Sequence, residues 1–393
     1  MTMNAPVLGA FGADPSVFSR DAALDYIAAH SFDRPTLVLS RARVGAQYDA
    51  LASGLGRAAI HYAVKANPQP EVIALLVARG CRFDAASRAE IELCLAHGAR
   101  PADISFGNTV KRPADIAFAF AAGVELFAAD ADEELEKLAA HAPGAQVYLR
   151  VIVENSSADW PLSRKFGCAP EALPGLIDRA ASLGLRPVGL SFHVGSQTRR
   201  AEMWGPVLDQ IAAHWHAARA AGHGFDLLNI GGGFPAFYES PVDAPRDYAR
   251  AVMAQVTARF GAVPRIMAEP GRGMVAEAGH IAAEVLLVSR KHESDLHRWV
   301  YLDIGKFSGL AETMDEAIRY RFLTARDDGE MGPCVLAGPS CDSADVLYEK
   351  RPVQLPLDLR AGDRVVIRNC GAYTTTYATI GFNGFPPLDV VVI

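Results

Sequence analysis

AIHYAVKANPQPEVIALLVARGCRFDA, residues 59–85, contains one full step of the pattern that decides the fold. A short apolar run ends at Val64, an alanine-rich stretch of helical period follows, and a second strand-like run is centred on Phe83. Outward along the chain the alternation returns as DISFG around Phe106, VELFA around Phe127, QVYLRV around Leu149, PVGLSFHV around Phe192, DLLNI ending at Ile230 and RIMAE around Met267. Eight strands with eight crossovers predict an α/β fold, a (β/α)8 barrel. The helices carry signals of their own: Asp132, Glu133 and Glu134 put acids in a first turn, and Trp204, Val207, Leu208 and Ile211 share one face.

After about Gly279 the pattern changes to HIAAEVLLVSR, RWVYLDI, GPCVLAG, DRVVIRN and LDVVVI, strand-like runs separated by Gly, Pro and Asp turns. A second, β-rich domain is therefore expected. The early run TLVLS near Leu37 stands apart from the barrel repeat, so it is expected to cross over and pair with that domain. The predicted division is 39–276 for the barrel and 1–38 plus 277–393 for the β-rich domain.

A chain of 393 residues, half of them hydrophobic, can bury more than one small core. The net charge of -7 comes from interspersed acids and bases, without a basic arm, which argues against nucleic acid as a partner. The six cysteines show no C-x-x-C spacing, which suits reduced thiols and a cytoplasmic setting. MTMNAPVLGAFGADPSVFSRD lacks a basic start followed by a long apolar core, and no run approaches a membrane span, so a soluble, unprocessed chain is expected, with no membrane partner. No metal site is expected, because His214 and His216 lie two apart on a helical stretch, a poor spacing for a shared ligand.

Catalytic groups of such barrels cluster at the C-terminal strand ends. Lys65 follows the first strand, Asp84 closes the second, Arg150 the fifth and His193 the sixth; Gly231, Gly232 and Gly233 follow the seventh, and Glu269 with Arg272 the eighth. Singly, each has an ordinary explanation: a surface lysine, a core histidine, a glycine turn, an ion pair. Together they place a lysine, a histidine, two acids, two arginines and a glycine loop on one rim, the composition of an active site. A lysine in an apolar, cation-rich pocket loses its charge readily, and its neutral amine condenses with an aldehyde. Ser196 after His193, the glycine run and Arg272 suit a phosphate, while Glu269 could hold a pyridinium nitrogen protonated.

The full set, YAVKAN at Lys65, FDAASRAEI from Phe83, SFHVGSQ at His193, NIGGGFP at Gly232, AEPGRG at Glu269, GPSCDSADVLY at Cys341 and GAYT at Tyr373, resembles the fold-type III pyridoxal 5'-phosphate (PLP) decarboxylases of ornithine, lysine, arginine and diaminopimelate. The likeness covers nearly the whole chain and is nearest to the ornithine decarboxylases. It implies that Lys65 carries the cofactor as a Schiff base, that His193 stacks on the ring and that Glu269 pairs with its nitrogen. Ser196, Gly231, Gly232, Gly233, Arg272 and Tyr373 would hold the phosphate, with Asp84, Glu90 and Arg150 behind Lys65 and the ring. Cys341 would donate the proton to Cα. The resemblance further implies a homodimer with shared active sites, the Cys341 and Asp342 loop of the β-rich domain reaching the neighbouring subunit.

The implied substrate is a small-molecule basic amino acid: L-ornithine, giving putrescine for polyamine biosynthesis, with L-lysine to cadaverine as a second possibility. Asp342 after the cysteine, where diaminopimelate-specific members carry Glu, favours this choice. SGLAETMDEAI reads as a helix whose acids Glu312, Asp315 and Glu316 could face a distal ammonium, with Asp315 or Glu316 as the contact. The alternatives are diaminopimelate or arginine decarboxylation on the same fold, a non-catalytic PLP-binding regulatory homologue, an alanine-racemase-like enzyme, or a barrel phosphatase or aldolase without PLP.

Overall fold

The computed structural model describes residues 21–153 and 165–393. The expectation of an unprocessed start concerns residues 1–20, outside the described residues. Strand β1 is Thr36–Leu39. Strands β2 (Ala59–Ala63), β3 (Arg82–Ala85), β4 (Ile104–Phe106), β5 (Leu126–Ala129), β6 (Gln146–Arg150), β7 (Arg186–Ser191), β8 (Leu227–Asn229) and β9 (Arg265–Ala268) follow. These eight pair in parallel and in sequence, and β9 returns to β2 to close a barrel. Each corresponds to one of the eight runs read from the sequence.

The barrel closes because alternate side chains of each strand turn inward and fill it. Ala128, Tyr148, Leu227 and Met267 form one interior cluster, with Leu126 and Val188 packed against it. The surrounding helices bury one face each. Asp132–His141 begins with the three acids, favourable beside the unsatisfied N–H groups of a helix start. Gly205–Ala220 buries Val207, Leu208, Ile211 and Trp215, with Trp204 in the turn before it.

The second unit is a nine-stranded sheet. Its strands after the barrel are β10 (Gly279–Ser289), β11 (Arg298–Leu302), β12 (Arg321–Thr324), β13 (Met331–Ala337), β14 (Val346–Leu347), β15 (Val353–Pro356), β16 (Arg364–Arg368) and β17 (Asp389–Val392). β1 joins this sheet, antiparallel to β10 and parallel to β17. The crossover expected of TLVLS is thus present. Ala23, Ile27, Val38, Ala282 and Val366 form the core beneath it, tying the helix Ala22–Ala29 to the sheet.

By compactness the described residues form two units, one drawn from Gly45–Pro235 and Val242–Met274, the other from those up to Val44, Ala236–Pro241 and Val275–Ile393. The six residues Ala236–Pro241, which the sequence reading assigns to the barrel, group with the β-rich unit for local reasons. Phe237 N–H donates to Glu277 at 3.1 Å, Arg319 reaches Glu239 at 3.3 Å, and the Tyr238 and Tyr320 rings meet edge to face at 5.6 Å. Among the described residues no helix is long and apolar enough to cross a membrane.

Candidate active site

The chemistry-bearing residues of the barrel sit at or just beyond its C-terminal strand ends, where the βα connections leave the ladder and side chains are free to converge. β2 runs into a single 3-10 turn, Val64–Ala66, which presents Lys65 at the barrel mouth. The Lys65 ammonium lies 3.5 Å from a carboxylate oxygen of Asp84 on β3; Lys65 is 52% exposed and Asp84 3%. Burial pushes the Asp84 carboxyl up, and the Lys65 and Arg150 cations partly offset that. The other Asp84 oxygen is buried without a hydrogen-bond partner. A buried polar oxygen left without a partner is costly unless something is to be bound there.

Glu90 stands behind this pair by helix capping. Ser87 accepts Glu90 N–H at 3.3 Å, and the Glu90 carboxylate reaches back to Ala86 N–H at 2.7 Å. Burial raises its pKa also.

His193 lies two residues past β7. Gly195 N–H donates to its Nδ1 at 2.9 Å, so Nδ1 is the acceptor and the neutral ring carries its proton on Nε2. Burial, reinforced by Arg150 and Lys65, lowers its pKa to about 3, so the imidazole stays neutral at any physiological pH. A flat, uncharged ring is suited to lie against another flat ring.

Past β8 the triple glycine packs against this histidine. A Cβ at Gly231 would fall 2.2 Å from Phe192 O, and one at Gly232 would fall 2.9 Å from Glu269 O and 3.2 Å from His193 Nε2. Gly231 and Gly233 also hold φ of 70° and 100°, which only glycine adopts without strain. The loop is thus a bare-backbone surface, suited to close approach by an anion. Arg272, buried, donates to Ser196 Oγ at 3.1 Å and sets a permanent cation on the same rim.

Glu269 follows β9. Asn229 donates to one of its oxygens at 2.6 Å, and Asn229 also accepts Gly231 N–H at 2.9 Å, so one side chain ties the carboxylate to the glycine loop. Burial first, then the nearby Asp84 charge, raises the Glu269 pKa to about 7. A consequence can be measured on the ligand-free protein. Between the unfolded carboxylate value of 4.5 and about 7, the folded chain retains a proton that the unfolded chain has lost. Stability from this group therefore falls as pH rises through that window and is level above it. Urea unfolding of the wild type and a Glu269→Gln variant at pH 5 and pH 7.5 should show the wild type losing ground to the variant at the higher pH; parallel behaviour would contradict the raised pKa.

Sequence reading missed Asn229, although an amide closing an otherwise apolar strand in DLLNI was the available signal. Tyr148 was also missed. Its fully buried hydroxyl is pushed up in pKa by burial and by the Glu269 and Asp84 charges, and nothing in QVYLRV separates it from an ordinary core residue.

The remaining predicted residues belong to the β-rich unit. Cys341 is the one exposed cysteine of the six among the described residues. Asp342 accepts Ala344 N–H at 2.9 Å. Tyr373 takes a positive φ of 60°, its ring 5.8 Å from that of Tyr377. The expected helix across SGLAETMDEAI is not formed. Its centre is a pair of short 3-10 turns broken at Met314 and Asp315, with positive φ at Asp315 and Glu316. The cause is tertiary: one Glu316 oxygen accepts Lys350 N–H at 2.7 Å and Arg351 N–H at 3.2 Å, and the other binds Arg319 at 2.7 Å. Both Glu316 oxygens are thus engaged by neighbouring groups of the β-rich unit. Asp315, 93% exposed and 3.6 Å from Lys350, retains an accessible carboxylate.

With the geometry in place, comparison with known proteins gives a consistent result. Residues 41–276 match the family model described as pyridoxal-dependent decarboxylase, pyridoxal binding domain. The chain is 32% identical over 351 residues to a lysine/ornithine decarboxylase of Selenomonas ruminantium, covering 89% of this chain and 87% of that one. It is 32% identical over 341 residues to an ornithine decarboxylase of Schizosaccharomyces pombe, covering 84% and 76%. Among solved structures, a lysine/ornithine decarboxylase from Vibrio vulnificus complexed with putrescine superposes with a TM-score of 0.82 at 32% identity, covering 94% of this chain and 97% of that one.

Proposed function

The chain belongs to the pyridoxal-dependent decarboxylase family, PLP-dependent carboxy-lyases of basic amino acids, and from that membership we propose that it converts L-ornithine to putrescine and CO2, with L-lysine to cadaverine as a slower reaction of the same site. The observation that carries this reading is the convergence of Lys65, Asp84, His193, Glu269 and Arg272 on one barrel mouth. The residues fit the cofactor. The buried oxygen of Asp84 lacks a hydrogen-bond partner, the bare backbone at Gly232 packs directly against His193 and Glu269 where a side chain would clash, and Glu269 is a buried carboxylate whose charge would gain from a protonated ring nitrogen.

When bound, PLP supplies an electron sink for the pair left at Cα by the departing carboxylate. Lys65 would be the residue that holds it through its amine. Asp84, with Glu90 and Arg150 behind it, would set the charge of the Lys65 amine; His193 would offer its uncharged ring to the cofactor; Glu269, oriented by Asn229, would keep the ring nitrogen protonated. Ser196, Gly231, Gly232, Gly233 and Arg272 would hold the phosphate, with Tyr373 beside them. Cys341 delivers the proton to Cα. Asp342 and Asp315 pair with the distal ammonium.

The proposed assembly is a homodimer with shared sites. Supporting it, the segment through Tyr377, Ile380, Phe382 and Phe385 exposes four large apolar side chains, more than an isolated surface stretch usually shows. All six cysteines are free, which supports the cytoplasmic setting.

The deciding experiment is CO2 release by PLP-loaded protein given L-ornithine, L-lysine, L-arginine and meso-diaminopimelate separately. The expected order has ornithine first and lysine second, each at least about tenfold in kcat/KM above the other two, since a site built for one charged end rejects a misfit by more than 1.4 kcal/mol. Release from arginine or diaminopimelate alone would overturn the assignment to Asp342 and Asp315 while leaving the chemistry intact.

A further inference from the structure

We propose that Asn383 is a positioning residue for Cys341, holding the thiol-bearing turn in place through the backbone; this rests on the reading of Cys341 as proton donor. The turn Gly338–Asp345 is fixed at its base by Asp345, which is 2% exposed. One Asp345 oxygen accepts Ser340 Oγ–H at 2.7 Å and the other accepts Lys306 N–H at 2.7 Å; its own N–H donates to Asp342 O at 3.1 Å. A Cβ at Gly338 would fall 2.2 Å from that carboxylate, so the base has no room to shift. The tip is held differently. Cys341 N–H points away from its own turn and donates to Asn383 Oδ1 at 3.0 Å, forty-two residues on in sequence.

Two features mark this contact as built. Asn383 sits at a positive φ of 52° between Gly381 and Gly384, a conformation that glycine would adopt at less cost. Asparagine is one of the few side chains that enter this region readily, and here its amide oxygen is also engaged by Cys341 N–H. Its turn is also registered to the segment that holds Asp345: the Phe382 ring meets Phe307 edge to face at 5.4 Å, next to Lys306, and Phe307 O accepts Thr379 N–H at 2.8 Å. Base and tip of the thiol turn are thus referred to one piece of backbone.

In the reaction the S–H bond of Cys341 breaks as the Cα–H bond forms, and the thiolate regains its proton from solvent. With the thiol displaced, Cα would be protonated less readily; a proton taken up on the cofactor side instead would, after addition of water, leave the substrate carbon as an aldehyde and the amino group with the cofactor. Asn383 thereby governs which product forms.

The test uses Asn383→Gly, which keeps the positive φ and removes the acceptor, and Asn383→Asp, which retains an acceptor oxygen. Hydrogen exchange of the 338–345 segment, measured without substrate, should speed about tenfold at the Cys341 amide in the glycine variant, the loss of one hydrogen bond. With ornithine, its aldehyde share should rise at least about tenfold with KM within about twofold, and the aspartate variant should restore both readouts. Faster exchange with an unchanged amine-to-aldehyde ratio would reduce Asn383 to a structural tie and overturn the proposal, as would unchanged exchange. Clean amine production by Cys341→Ala is a different failure: it removes Cys341 as the donor, and with it the premise.

Discussion

Lys65→Ala should lose carbon dioxide release by on the order of 10⁴-fold or more, and the purified protein should no longer retain PLP through dialysis. The lysine is the amine that stands at the barrel mouth beside a buried carboxylate, and its half-exposed position lets it exchange with an incoming amine. The side chain contributes little packing, so the fold should persist, although Asp84 loses its nearest cation and will hold a proton to higher pH. An added small primary amine should recover part of the turnover by substituting for the missing group. A Lys65→Ala protein that kept a tenth of wild-type activity would place covalent attachment elsewhere.

Cys341→Ala carries the second large effect. Removing a positioned proton donor typically costs 10²–10⁴-fold, and roughly that loss in amine formation is expected, with aldehyde becoming a main product and PLP affinity unchanged. The free cysteines help here. Cys81, Cys94, Cys168, Cys334 and Cys370 are buried, and burial pushes all five thiols up, so a thiol reagent titrates Cys341 selectively. If sites are shared between subunits, mixing inactive Lys65→Ala and Cys341→Ala proteins should restore about one quarter of wild-type activity, because half the dimers carry one site with both native residues. No recovery on mixing would argue for sites made within one chain.

The barrel was legible because its strands are buried on both faces and so read as continuous apolar runs, and because polar residues interrupt those runs only at the strand ends. Lys65, His193 and Glu269 stand out for that reason. The short strands β12, β14 and β15 were not legible: Arg321–Thr324 opens on a charge, Val346–Leu347 has only two residues, and Val353–Pro356 ends in proline. Such segments become strands because a neighbour offers a ladder, which local sequence does not record. SGLAETMDEAI failed in the opposite direction. Its acids have helical spacing, but Glu316 satisfies two backbone N–H groups at Lys350 and Arg351, and that demand outweighs a weak helical preference. Asn229, Tyr148 and Asn383 act through partners 40 or more residues away, a relation visible only once the chain is folded.

The parallel pairing of Thr36–Leu39 with Asp389–Val392 bears on how the molecule is made. A ribosome releases β1 about 350 residues ahead of β17 (Thr36 to Asp389), at roughly 5–20 residues per second. For most of that interval β1 is an apolar strand with one or both edges open, a template for unwanted pairing. The barrel, whose neighbouring strands are also neighbours in sequence, can close in the meantime. Completion of the sheet is then the late step in the life of each new chain, and the interval before it is when a chaperone would matter most.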